Sequence, residues 1–151
     1  MNDIEIPIFN RVYNAVYDKY HEDYPGLTIL NDRPEVLARF PAVVCVEDDN
    51  TTYTRARDRT EQEAYSEIMY TVEVYVDNQT GSKTLAKEIA SVVDDIFVGL
   101  RFTRMSFSPM PNADRKIIRY VARYRAVVSA PREEGTDEQG LPNLNYYLYR
   151  R

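Results

Sequence analysis

Residues 65–76 read Tyr-Ser-Glu-Ile-Met-Tyr-Thr-Val-Glu-Val-Tyr-Val, and this stretch decides the fold. Ile68, Tyr70, Val72, Val74 and Val76 fall on one side of an extended chain, and Glu67, Thr71, Glu73 and Tyr75 fall on the other. That is the period-two pattern of a strand with one covered face. β-Branched and aromatic residues fill it, and these suit a pleated surface. One face belongs to a core; the other meets solvent or a partner.

Upstream, residues 41–47 form an apolar run around Ala42-Val43-Val44-Cys45-Val46, as expected of a central strand covered on both faces. Between the two strands, 48–64 turns polar, with Arg55, Arg57 and Arg59 among Asp48, Asp49, Asp58, Glu61 and Glu63. It is too long for an ordinary hairpin connection and reads as either a mobile segment or a projecting charged arm whose arginines contact another protein. Thr51 to Arg57 extends the flanking strands into a long hairpin. Downstream, Asp77-Asn78-Gln79-Thr80-Gly81 is turn chemistry and Ser82 is a helix N-cap. Residues 83–98 then place Leu85, Ile89, Val92, Val93, Ile96 and Phe97 on one helical face, with Gly99 as the expected stop. Residues 102–108 and 115–128 alternate again, joined by a turn at Pro109-Met110-Pro111-Asn112, which predicts two antiparallel strands.

Toward the amino end, Ile8, Val12 and Val16 repeat at helical spacing over 7–20, with Pro7 in the first turn, and 27–30 is a short strand. The class expected is α+β: a mixed, largely antiparallel sheet with two helices packed on it, a long charged hairpin and an extended C-terminal arm. Residues 1–130 make the domain. Residues 131–151 begin as a polar, Gly- and Pro-containing linker that cannot pack a core and end in an aromatic docking arm with Tyr146, Tyr147 and Tyr149.

The 151 residues fit one domain, large enough to bury roughly 68–70% of its unfolded surface without a disulfide. Cys45 is the lone cysteine and sits in an apolar strand, which points to a reducing compartment. The opening Met-Asn-Asp-Ile-Glu-Ile-Pro carries neither a basic start nor an apolar core, so export and membrane insertion are not expected. Charge is uneven: residues 1–100 hold 9 basic and 19 acidic side chains, and 101–151 hold 10 basic and 5 acidic. Such asymmetry suits either a nucleic-acid face or a subunit whose acidic surface meets a basic one on its neighbour. Thirteen tyrosines without a tryptophan add to the second reading.

Chemistry is sparse. His21 is the single histidine, beside Glu22 and Asp23 near a helix end, and reads as a surface residue. Gly135 and Gly140 have the spacing of a phosphate loop, but Leu141-Pro142 stands where Lys-Ser/Thr is required. Glu47, Asp48 and Asp49 at a strand end could join Glu73 to hold Mg²⁺ in a nuclease, yet Tyr75 occupies the place a restriction-like core gives to lysine. No catalytic, cofactor or metal site is expected, and the chain is read as a non-enzyme. The remaining feature is an arginine stripe, Arg115, Arg119, Arg123 and Arg125. It can follow a phosphate backbone, or it can pair with Glu67 and Glu73 across strands or across a subunit boundary. Charge asymmetry favours the boundary, in which case reversing Arg119 and Arg123 breaks assembly and leaves the monomer folded.

The element order, with Ile8 to Tyr20 first, Tyr65 to Val76 before Leu85 to Leu100, and Lys116 to Val128 last, resembles the tail-terminator or tail-completion proteins of long-tailed phages over residues 1 to about 130. The resemblance implies a homo-oligomeric ring, generally hexameric, that caps the tail tube and joins it to the head connector. Its partners would be its own copies, the tail tube protein and the connector protein. DNA would pass through without sequence recognition, and no membrane would be involved. It would reside in the neck of the virion after assembly in the host cytoplasm. Other connector or stopper proteins are the alternative within the class. A DNA-binding or DNA-processing protein using the arginine stripe is the alternative outside it.

The linker 131–140 spans at most about 33–36 Å when extended, enough to reach a neighbouring subunit. Truncation after Ala130 is therefore expected to weaken oligomerisation, read by light scattering, with the melting of the core unchanged; a full-strength oligomer after truncation contradicts the docking arm.

Overall fold

The computed structural model describes residues 3–52 and 65–129. In chain order its elements are α1 (Glu5–Tyr20), β1 (Thr28–Leu30), β2 (Ala42–Thr52), β3 (Tyr65–Asp77), α2 (Lys83–Gly99), β4 (Thr103–Met110) and β5 (Ile117–Ser129). The strands form one sheet in the order β1-β2-β3-β5-β4. β1 runs parallel to β2 and every other pair is antiparallel. Both helices share one core with the sheet, so the class is α+β with a mixed, mostly antiparallel open sheet.

β3 is hydrogen-bonded on both sides. Ala42 to Thr52 of β2 pair with Tyr75 to Ser66, and Ser129 to Ile117 of β5 pair with Tyr65 to Asp77. Its inward residues Ile68, Tyr70, Val72, Val74 and Val76 are all buried, as the alternation predicts. They meet Ile8, Val12, Val16 and Tyr20 of α1 and Leu85, Ala86, Ile89, Val93 and Phe97 of α2. Tyr70, Phe97, Phe102 and Tyr124 form an aromatic centre, with Phe97 stacked on Tyr124 at 4.4 Å and edge-on to Phe102 at 5.2 Å. Offset and edge contacts of this kind add to simple burial. In β2, Ala42 to Cys45 are buried on both faces, as a doubly covered strand requires. Burial pushes the Cys45 thiol up to about 12, which keeps it protonated and unreactive.

Beyond shifts of one or two residues at the ends of α1 and β5, three boundaries differ from the sequence reading. β2 does not stop at the apolar run but continues through Asp49 and Asn50, held by Met69 and Ile68, to Thr51 and Thr52, the described part of the expected hairpin extension. A bulge between Glu47 and Asp49 makes Asp48 the extra residue and turns it toward the open face of the sheet. β4 includes Pro109 and Met110, expected in the turn; Pro109 is tolerated because β4 is an edge strand. The arm residues Arg55, Arg57 and Arg59, and the segment 131–151 with Tyr146, Tyr147 and Tyr149, lie outside the described residues.

The third difference is the end of α2. Ser82 caps its start as expected, accepting from the Thr84 amide. Gly99, however, is the last helical residue, and the left-handed position falls on Arg101, φ 68°. The Arg101 amide donates to Val98 and the Phe102 amide to Phe97, which closes a Schellman motif with Phe102 packed on Phe97. An arginine in this conformation costs about 1 kcal/mol that glycine avoids. Arg101→Gly is therefore expected to stabilise the fold by about 1 kcal/mol, roughly 2–4 °C in melting temperature for a domain of this size. Gly99→Ala is also expected to stabilise, since a Cβ there meets nothing within 4 Å. A destabilised Gly99→Ala would restore Gly99 as the residue that ends the helix.

Candidate interaction surface

The face of the sheet opposite the helices carries the polar side chains of β3 and β5. Their register sets which charges meet. Glu73 stands opposite Val121 and Glu67 opposite Val127, so each glutamate reaches an arginine one step along the same face of β5. Arg119 Nη2 donates to Glu73 Oε1, and Arg125 Nε lies 3.7 Å from Glu67 Oε1. Diagonal pairs of this kind lie within reach of long side chains on neighbouring strands.

The two pairs are unequal. Glu73 is 6% exposed, and the Tyr75 hydroxyl donates to its second oxygen at 3.0 Å. Arg119 also lies over the Tyr75 ring at 5.6 Å. The Glu73 hydrogen bond is the first cause that raises Arg119 above the ordinary arginine value. The Tyr75 phenol is raised as well, by burial first and then by Glu73. Glu67 and Arg125 are more exposed and farther apart, so their pair contributes little.

Beside this lies a second cluster built from residues far apart in sequence. Arg33, in the loop between β1 and β2, donates to Asp48 Oδ1 at 2.8 Å, and Thr71 Oγ1 donates to Asp48 Oδ2. That hydrogen bond is the leading cause that raises Arg33 above its ordinary value. Arg33, Asp48, Thr71, Glu73, Arg119 and Arg123 border a hollow of about 400 Å³. Arg123 stands opposite Thr71, is exposed, and has no ion-pair partner among the described residues.

The favoured pairing across a subunit boundary is corrected here for Glu73–Arg119 and Glu67–Arg125, which close within the chain because β3 and β5 are ladder neighbours. The stripe is broken as a phosphate track for the same reason, since two of its arginines face glutamates. The nuclease set is not brought together either: Asp48 pairs with Arg33, Glu73 pairs with Arg119, and Glu47 lies near Asp3 and Glu5. His21 follows the carboxyl end of α1, where Nδ1 lies 2.6 Å from the Tyr17 carbonyl and the ring stacks on Tyr17. Its other nitrogen is 4.0 Å from Glu22, a surface arrangement.

On the helix side, Asp94 accepts from the Tyr124 hydroxyl at 2.8 Å and from Arg104 at 2.9 Å. This ties α2 to β5 and β4. Burial first, then the Asp94 bond, raises the Tyr124 phenol. Sequence reading missed both this network and the Arg33–Asp48–Thr71 cluster, because each joins residues with no common periodicity.

Two apolar strips are exposed. β4 is exposed at every residue, with Met105 at 54%, Phe107 at 39% and Met110 at 39%. Along α1, Tyr13 and Tyr17 stack at 5.5 Å on the outer face, near exposed Ile6. No helix of the described residues is long and apolar enough to cross a membrane. No family model matches the sequence, and no curated protein matches it.

Arg119 and Arg123 are expected to behave differently. Arg119→Ala leaves the buried Glu73 without its cation and is expected to cost about 2–4 kcal/mol in urea unfolding, less than a fully buried pair because Arg119 is partly exposed. Arg123→Ala is expected to stay within about 0.5 kcal/mol. Equal, small costs for both would remove the structural role given to Glu73–Arg119.

Proposed function

We propose that this chain is a non-catalytic virion subunit of the tail-terminator type, which assembles into a ring, closes the tail tube of a long-tailed phage and joins it to the head connector. The observation that carries this reading is β4. It is an edge strand, exposed along its whole length, with no strand of the described residues on its outer side and with Met105, Phe107 and Met110 exposed. A soluble domain with such an edge offers a ready template for pairing with another chain.

A closed ring needs two different complementary patches on each subunit. β4 is one and the Tyr13–Tyr17 strip of α1 is the second; they stand on separate elements and do not use the same residues. Arg123, exposed and without an ion-pair partner among the described residues, adds a cation that a neighbour's acidic surface can meet. The function rests on surfaces, and the polar clusters of the sheet are built from charges that neutralise one another.

Reading the chain as a DNA-binding protein draws less support, since Glu73 and Glu67 occupy two of the four stripe arginines. A stopper or connector subunit uses the same kind of edge and differs in the partner that binds.

Native mass spectrometry of the full chain, alone and mixed with the tail tube protein, is expected to give a cyclic oligomer. Met105→Lys with Phe107→Lys is expected to abolish it while circular dichroism melting stays within a few degrees of the parent. A chain monomeric under every condition, including beside its tail tube, overturns the assignment.

A further inference from the structure

α2 runs beside the edge strand β4, and the two leave a groove between them. Its helix wall is the ridge of Lys87, Ser91 and Asp94, whose spacing puts them on one face. Its sheet wall is Arg104 and Phe107, and the buried Tyr124 is its floor. The hollow measures about 240 Å³. A cavity of about 150 Å³ already holds a benzene ring, so one aromatic side chain fits here.

The hollow is formed before anything enters it. Asp94 accepts from the Tyr124 hydroxyl at 2.8 Å and from Arg104 at 2.9 Å, which fixes floor and wall together. The Phe107 ring is stacked on Tyr120 at 5.1 Å yet stays 39% exposed. Aromatic surface inside, with Lys87, Ser91 and Arg104 at the rim, suits a side chain that is a ring carrying one hydroxyl. The groove also lies along an edge with no strand of the described residues on its outer side. In strand addition the main-chain ladder supplies affinity, and a pocket for alternate side chains supplies specificity. Pro109 carries no amide, so an added strand is held by the residues before it, which are those that border the hollow.

One stretch of this sequence matches such a groove. Residues 144–149 read Leu-Asn-Tyr-Tyr-Leu-Tyr, and when extended they put Leu144, Tyr146 and Leu148 on one side. That side offers one tyrosine between two leucines to a hollow beside the exposed Met105 and Phe107. Charge agrees. Residues 131–140, which lead to this stretch, hold Glu133, Glu134, Asp137 and Glu138 against the single Arg132. The groove and the start of β4 hold Lys87, Arg101 and Arg104 against the single Asp94.

Direction decides between chains. Thr103 begins β4 opposite Arg125, and β5 continues past it to Ser129, so the chain leaves the sheet heading away from its own β4. To pair antiparallel with that strand, the better-bonded arrangement, it must double back along the whole of it. A neighbouring copy's β4 imposes no such return.

We propose that residues 144–149 of a second copy add to β4 as an antiparallel strand and seat the Tyr146 ring in the hollow between β4 and α2. This rests on the assembly reading above and names the segment that covers the edge.

The test replaces Tyr146 with p-benzoylphenylalanine in the full chain, co-assembles it with a ¹⁵N-labelled parent chain and irradiates the mixture. Cross-links from position 146 to labelled peptides holding Ser91 or Phe107 are expected, since these come only from a second copy. In parallel, Tyr146→Ala and Ser91→Trp, the latter filling the hollow from an exposed helix position, are each expected to weaken self-association by about 10-fold or more in light scattering, with the melting temperature unchanged. Tyr147→Ala, on the other side of the strand, is expected to leave association near that of the parent. Cross-links confined to the probe-bearing chain, cross-links to α1 or to the open face of the sheet in place of the groove, no cross-link in an assembled particle, association undiminished by Tyr146→Ala and Ser91→Trp, or a loss on Tyr147→Ala as large as on Tyr146→Ala each overturns the proposal and leaves the assembly reading standing. A chain monomeric under every condition overturns both.

Discussion

β3 is held on both sides, by β2 along Ser66 to Tyr75 and by β5 along Tyr65 to Asp77. Its strict alternation then forces two unlike surfaces. Ile68 to Val76 turn one face into the floor of the core, and the helices must lie there because no other face of the sheet is as apolar. Glu67, Thr71, Glu73 and Tyr75 are driven to the other face, where β5 supplies Arg119 and Arg125. A slip of one residue would bury Glu73 under α2 and expose Tyr70, so the register is strongly specified. Both the aromatic centre and the polar clusters follow from that single constraint.

The parts of the fold governed by periodicity were legible in the sequence. β3 and α2 begin where the pattern begins, at Tyr65 and Lys83, and Ser82 caps the helix as its chemistry requires. The parts governed by pairing alone were not. Asp49 and Asn50 carry no strand signal in their side chains; Met69 and Ile68 across the ladder hold them extended. Pro109 looks like a breaker, and only its place on an edge makes it a strand residue. Gly99 looks like a helix stop, yet the packing of Phe102 on Phe97 fixes the turn one step later and leaves Arg101 with the positive φ.

The candidate surface was legible in part. The arginine stripe and its glutamates stand out in the sequence, but whether they meet inside one chain depends on β3 and β5 being neighbours, and strand order is not written in any local pattern. Arg33 with Asp48, and Asp3 with Glu47, join residues whose proximity exists only in the folded chain. Of the described charges expected to join subunits, Glu67, Glu73, Arg119 and Arg125 pair within the chain. The exposed apolar edge of β4, whose alternation is weak in the sequence, carries the assembly reading instead. In the proposed assembly that edge, rather than the Glu73–Arg119 pair, would join the subunits, and Glu73 and Arg119 maintain the sheet within the chain.

The central claim is that β4 pairs with another chain. Hydrogen–deuterium exchange of the backbone amides from Thr103 to Met110, measured on the assembled particle and on the monomer, addresses it most directly. Marked slowing in the particle, confined within the sheet to the outward-facing amides of this strand, is the result expected of an edge that has gained a partner. Exchange as fast in the particle as in the monomer would contradict it.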